Sequence, residues 1–135
     1  MKTVPGMSVI RGERMRICLW TYLFLFTAVP PAIAGEADVI QVVAQKSADG
    51  SYHFNVTVAH ADEGWEHYAD KWDVVAPDGT VLGTRTLYHP HVNEQPFTRS
   101  LSGVTVPAET TAVNVRAHDS VHEYGGKVVP VELQQ

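Results

Sequence analysis

The stretch Ser51-Tyr52-His53-Phe54-Asn55-Val56-Thr57-Val58-Ala59-His60 decides the architecture. Tyr52, Phe54, Val56 and Val58 alternate with His53, Asn55, Thr57 and Ala59. Successive side chains of a strand point to opposite faces, so a period of two means one buried face and one wet face. Such alternation belongs to an antiparallel sheet packed on a core.

Similar short runs rich in Val, Thr, Tyr and Phe lie on either side of it. Asp38 to Lys46 precedes it, separated by the turn Ser47-Ala48-Asp49-Gly50. Beyond it come Asp70 to Ala76, Val81 to Tyr88, Phe97 to Ser102, Thr111 to His118 and Lys127 to Leu133. Pro77-Asp78-Gly79-Thr80 suits a tight reversal between the third and fourth runs. Val113, Val115 and Ala117 mark the inner face of the sixth. Seven strands separated by turn signals predict an all-β, antiparallel sandwich of the immunoglobulin/fibronectin-like kind, with an open barrel as the alternative.

Upstream of Gly35 the chain reads differently. Arg11, Arg14 and Arg16 form a basic stretch, and Ile17 to Val29 form an apolar run. Pro30, Pro31 and the small-residue run Ala32-Ile33-Ala34 follow. A basic region, an apolar segment of this length and an A-x-A site make a secretory signal peptide. The run is shorter than the roughly 20 residues that span a bilayer. The expected cut falls between Ala34 and Gly35, giving a signal peptide over 1–34 and a β-sandwich domain over 35–135. The expected location is periplasmic or secreted, with no stable membrane insertion after signal cleavage.

The mature domain carries 6 basic and 14 acidic side chains, a charge of −8. That balance repels phosphate backbones and excludes nucleic acid as a partner. Cys18, the single cysteine, lies within the signal segment, so the domain has no disulfide and no thiolate ligand. It must stand on its hydrophobic core.

All seven histidines fall within the domain. If neighbouring strands run antiparallel, the second-to-third, fourth-to-fifth and sixth-to-seventh connections share one end of the sandwich. Those connections hold six histidines: His60 and His67, then His89 and His91, then His118 and His122. Imidazoles gathered with carboxylates suit zinc or copper. His89-Pro90-His91 is the sharpest local element. Proline favours an extended residue before it, and residues i and i+2 of an extended chain face one side. The expected metal ligands are therefore His89, His91, His118 and His122, then His60 and His67, with Glu94 or Asp119 as orienting acids. Arg99 and Arg116 are placed to pair with acids.

Trp65, Tyr68, Ala69 and Trp72 recur at helical spacing after Asp62 and Glu63, which allows a short helix over Asp62 to Asp70. The plainer expectation is that Tyr68 and Trp72 complete the core. Enzymatic function is not expected. His118-Asp119-Ser120 has triad residue types, but neighbouring side chains on one loop do not make triad geometry. There is no G-x-S-x-G elbow, glycine-rich phosphate loop or H-E-x-x-H motif.

Four segments carry a family likeness: His60-Ala-Asp-Glu-Gly-Trp-Glu-His-Tyr-Ala-Asp-Lys-Trp72, Ala76-Pro-Asp-Gly-Thr-Val-Leu-Gly83, His89-Pro-His-Val-Asn-Glu-Gln-Pro-Phe-Thr-Arg99 and Arg116-Ala-His-Asp-Ser-Val-His122. The chain resembles a family of small uncharacterised secreted proteins of proteobacteria over nearly all of Ala37 to Leu133. The resemblance implies an exported location and a sandwich fold, and no activity. The functional expectation is thus an exported domain binding zinc or copper at a histidine-rich pole. The competing expectation is a metal-free interaction module for an unidentified envelope protein, using Trp65, Tyr68 and the same loops.

Overall fold

The alternation that opens the sequence reading is present in the computed structural model, which describes Gly6 and residues 35–135. The expected signal peptide lies, apart from Gly6, outside the described residues. Strand β2 (Tyr52–Ala59) buries Tyr52, Phe54, Val56 and Val58 and leaves the intervening side chains half-buried. Around it stand β1 (Asp38–Lys46), β3 (Ala69–Val75), β4 (Val81–Thr86), β5 (Phe97–Val104), β6 (Ala112–Asp119) and β7 (Val129–Glu132).

The strands form two antiparallel sheets, one ordered β1-β2-β5 and the other β4-β3-β6-β7. The sandwich expectation holds, and the sheets do not close into a barrel. The core between them is built on Trp72, Phe54 and Phe97, all essentially inaccessible, with Val39, Val56, Val58, Val74, Val113 and Val115 packed around them. Every member of this core comes from Ala37 to Leu133.

Antiparallel pairing sends the β2–β3, β4–β5 and β6–β7 connections to one pole, where they tie to each other. The His60 N–H donates to the Gln95 side-chain oxygen at 3.0 Å, and the His91 N–H donates to Asp62 at 2.6 Å. The Ser120 N–H donates to the Tyr68 carbonyl at 3.0 Å.

The short helix expected over Asp62 to Asp70 does not form, and the described residues contain no helix. Gly64 takes φ +121°, outside the range of helical backbone, and pairs across a tight turn with His67. The Asp62 carboxylate accepts the Ala69 N–H at 3.0 Å, which holds the chain in this turn. Trp72 joins the core as expected, whereas Tyr68 is only half-buried and Trp65 is 67% exposed.

Candidate metal centre

Two strands deliver polar side chains into the end of the core by continuing their inward register. On β2 the buried positions Phe54, Val56 and Val58 lead to His60, one step past the strand end. On β6 the buried series Val113, Val115 and Ala117 ends at Asp119, which is wholly inaccessible. The two strands belong to opposite sheets, so His60 and Asp119 meet between the layers. The β2–β3 turn adds His67, also buried.

One potential ligand atom each from His60, His67 and Asp119 lie within 4.8 Å of one another. The His60 and His67 ring centroids are 4.8 Å apart, and His67 to His122 is 5.0 Å. His122, partly open to solvent, has its Nδ1 3.2 Å from Asp119 Oδ1. Donors around tetrahedral zinc, at bonds of about 2.0–2.1 Å, stand roughly 3.4 Å apart. Closing this group around an ion would therefore take shifts of about 1 Å, within the reach of side-chain torsions.

Asp62 sets the orientation of the group. Its Oδ1 accepts from His60 Nδ1 at 2.5 Å and from the Ala69 N–H. Its Oδ2 accepts the His91 N–H, and its side chain is inaccessible. An ionised carboxylate can only accept, so the His60 proton sits on Nδ1 and the lone pair is on Nε2. That Nε2 is buried without a hydrogen-bond partner. A carboxylate behind a ligating imidazole fixes its tautomer and raises its basicity.

The remaining atoms of the group share this state. His67 stands between two acids, with Nδ1 3.4 Å from Glu63 Oε2 and Nε2 3.2 Å from Asp119 Oδ1, the latter out of hydrogen-bond alignment. Asp119 Oδ1 accepts the N–H groups of Val121 and His122 at 2.9 and 2.7 Å, while Oδ2 is buried with no partner. Each buried unsatisfied polar group costs about 1–3 kcal/mol. Two imidazole nitrogens without hydrogen-bond partners gathered with a buried carboxylate leave a place for positive charge, either a proton or a cation.

The titration behaviour agrees with that electrostatic picture. Burial by itself would lower the His60 pKa, but the Asp62 hydrogen bond and the charges of Asp62 and Asp119 outweigh it and raise it. The Gly35 carbonyl also lies near this ring and adds to its basicity, without the alignment of a hydrogen bond. Burial opposes ionisation of Asp62 and Asp119. Even so, His60 and the backbone N–H groups of His91 and Ala69 hold Asp62 below its usual value. The N–H groups of His122 and Val121 do the same for Asp119.

The other expected ligands are placed differently. His118 follows the outward register of β6, opposite in face to Asp119. It pairs with Asp70 at 2.6 Å and packs edge-on against Tyr124. His89 and His91 do lie together, with ring centroids 4.6 Å apart, as the His-Pro-His reading required. His91 is buried, stacks on Phe97 at 3.9 Å and has no hydrogen bond to either ring nitrogen. Burial, then the charges of Arg99 and His89, lower its pKa and favour the neutral ring. Its Nδ1 is 3.9 Å from Asp62 Oδ2, so one carboxylate stands behind both His60 and His91. Glu94 is taken by Arg99 at 2.9 Å, and Arg116 reaches Asp73 at 3.3 Å. Asp119, expected only as an orienting acid, offers a ligand oxygen, and the orienting role falls to Asp62.

No protein-family model matches the chain, and no solved structure matches it significantly. One similar protein comes from Halomicrobium mukohataei. It is described as "Putative lipoprotein". The two are 42% identical over 99 residues, which is 73% of this chain and 48% of the relative. The chain thus spans about half the relative's length. That relative is archaeal, so the likeness is not confined to proteobacteria.

Proposed function

We propose that this is an exported, envelope-associated domain that binds a divalent transition-metal ion, zinc or copper, through His60, His67 and Asp119. His122 closes the site from the solvent side. Binding, not catalysis, is the role. The carrying observation is the buried group of His60, His67 and Asp119, each with one side-chain atom that lacks a hydrogen-bond partner, and with His60 oriented by Asp62. Imidazole nitrogen and carboxylate oxygen are the donors that zinc accepts, and copper(II) favours the nitrogens. The signal-like sequence before Gly35 and the name of the archaeal relative support placement outside the cytoplasm.

The test is titration of metal-stripped protein with zinc and copper. An ion that binds only the folded state raises the melting temperature by mass action, by about 2.7 kcal/mol of stability at a hundredfold excess over Kd. His67→Ala should abolish that rise. No change in melting temperature with either ion would overturn the proposal.

A second reading has its own observation. Trp65, Tyr88 and Val92 are strongly exposed, and Trp65 and Val92 line an open pocket of about 550 Å³ with Pro90 and His91. Exposed apolar surface of this kind marks interaction sites. A metal-free envelope interaction module would use that surface, and its binding would be insensitive to His67→Ala and to chelators.

A further inference from the structure

The chain entering β1 runs past the metal centre. Asp38 lies opposite Ala59 in the antiparallel register. One step further back, the wholly buried Ala37 comes level with His60, and Glu36 and Gly35 continue over the pole. The Gly35 carbonyl lies near the His60 ring, on which Nδ1 is already committed to Asp62. The side left for that carbonyl is the one that carries the bare Nε2.

This entry segment is held in place by the β6–β7 connection. The Lys127 N–H donates to Asp38 Oδ1 at 2.6 Å, and the Val39 N–H donates to the Lys127 carbonyl at 3.0 Å. At Gly126 a Cβ would lie 2.0 Å from the Ala37 carbonyl oxygen, and at Gly125 one would lie 2.3 Å from Glu36 Cγ. At Gly126 backbone therefore packs on backbone, and the missing Cβ makes that approach feasible, whereas Gly125 faces only the Glu36 side chain. The segment is thus held from Glu36 onward, and Gly35 adjoins it with its carbonyl near a cluster whose three buried members leave room for further ligands on an ion that takes four or more.

The sequence places the signal-peptidase cut between Ala34 and Gly35. Cleavage there converts the Gly35 amide nitrogen into a primary amine. An α-amino group titrates near 7.7–8.0, so it is a competent nitrogen ligand close to neutrality. Its nitrogen and the carbonyl oxygen of the same residue can close a five-membered chelate ring.

We infer that the α-amino group of Gly35, released by signal cleavage, is a ligand of the metal centre and that processing during export completes a copper(II) site. This rests on the metal-binding reading of His60, His67 and Asp119. An added nitrogen donor shifts preference towards copper(II). The uncleaved chain has an amide nitrogen in this position, which is a poor ligand near neutral pH. Copper loading would thus follow export.

The full chain is expressed in an exporting host, and the first residue of the mature product is read by mass spectrometry. The inference requires Gly35, and any other first residue overturns it. Copper(II) affinity is then measured for that product and for the same domain carrying Ala34 in front. The extension should weaken copper binding by about tenfold or more, the lower end of what disturbing a ligand's support does. It should also remove one nitrogen from the copper electron paramagnetic resonance signal. Equal affinity with and without Ala34, while His67→Ala still abolishes binding, would overturn the amine ligand and leave the metal centre standing. Failure of both forms to bind copper or zinc would overturn both.

Discussion

Replacement of Asp62 by asparagine probes the metal centre through a residue that would not touch the ion. Asp62 accepts from three buried donors: His60 Nδ1 and the Ala69 N–H on Oδ1, and the His91 N–H on Oδ2. An amide retains one acceptor. If its oxygen stays with His60 and Ala69, its NH₂ group faces the His91 N–H, donor against donor. The opposite flip strands more donors. Two buried donors left without partners, at about 1–3 kcal/mol each, give a loss of about 2–6 kcal/mol. The total stability of a domain this size is about 5–15 kcal/mol. A mid-range loss of about 4 kcal/mol lowers the melting temperature by roughly 15–30 °C. Urea denaturation should show a reduced midpoint with an unchanged m-value. Removing the negative charge behind His60 also reduces the basicity of Nε2, so zinc affinity should fall about 10- to 100-fold. Asp62→Asn with stability within about 0.5 kcal/mol of the parent, the size of an ordinary surface substitution, and with undiminished zinc affinity would refute the orienting role.

The same side chains set further expected outcomes. The metal-free domain should be most stable in mildly acidic solution. His60 has a folded pKa above 6.5, so its contribution is complete below 6.5 and fades as pH rises through the folded value. Asp62 and Asp119 have folded values below 3.8, so theirs is complete above 3.8 and fades as pH falls through the folded values. Saturating zinc should move this optimum upward, because the ion binds the deprotonated ring, and urea melts from about pH 3 to about pH 9 check both. Trp72→Ala should destabilise by about 3–5 kcal/mol in denaturant melts, because it removes the largest fully buried side chain among the described residues. Gly126→Ala should destabilise by about 1–3 kcal/mol, since its Cβ meets the Ala37 backbone. Gly125→Ala meets only the flexible Glu36 side chain and should be nearly neutral by the same measurement.

The strands were legible because each carries its own signal. Asp38 to Lys46 matches β1 residue for residue, and the alternation in β2 and β6 gives the faces, with the strand ends one residue off. The gathering of histidine-bearing loops at one pole follows from antiparallel order alone. Which rings meet there was less legible, although part of the signal was present. Extending the inward register of β2 and β6 by one step points to His60 and Asp119, and the same rule turns His118 outward. A local motif such as His89-Pro90-His91 carries no trace of this parity. Asp62 and His67 lie in a turn whose path depends on hydrogen bonds to Ala69 and His91, one of them 29 residues away. No local pattern encodes that path. Helical spacing of Trp65, Tyr68 and Trp72 misled for the same reason, since Trp72 already belongs to β3.

His60 extends a strand of one layer and Asp119 ends a strand of the other, so an ion held by both would act as a rivet through the sandwich. Removing it with a chelator leaves the layers joined at that pole by side-chain contact and loop hydrogen bonds alone. Amide exchange should then quicken first at Val58, Ala59, Ala117 and His118, while the far ends of the same strands stay protected. The centre would in this way report the spacing of the two layers, and the grip on the ion and the closure of the pole would rise and fall together.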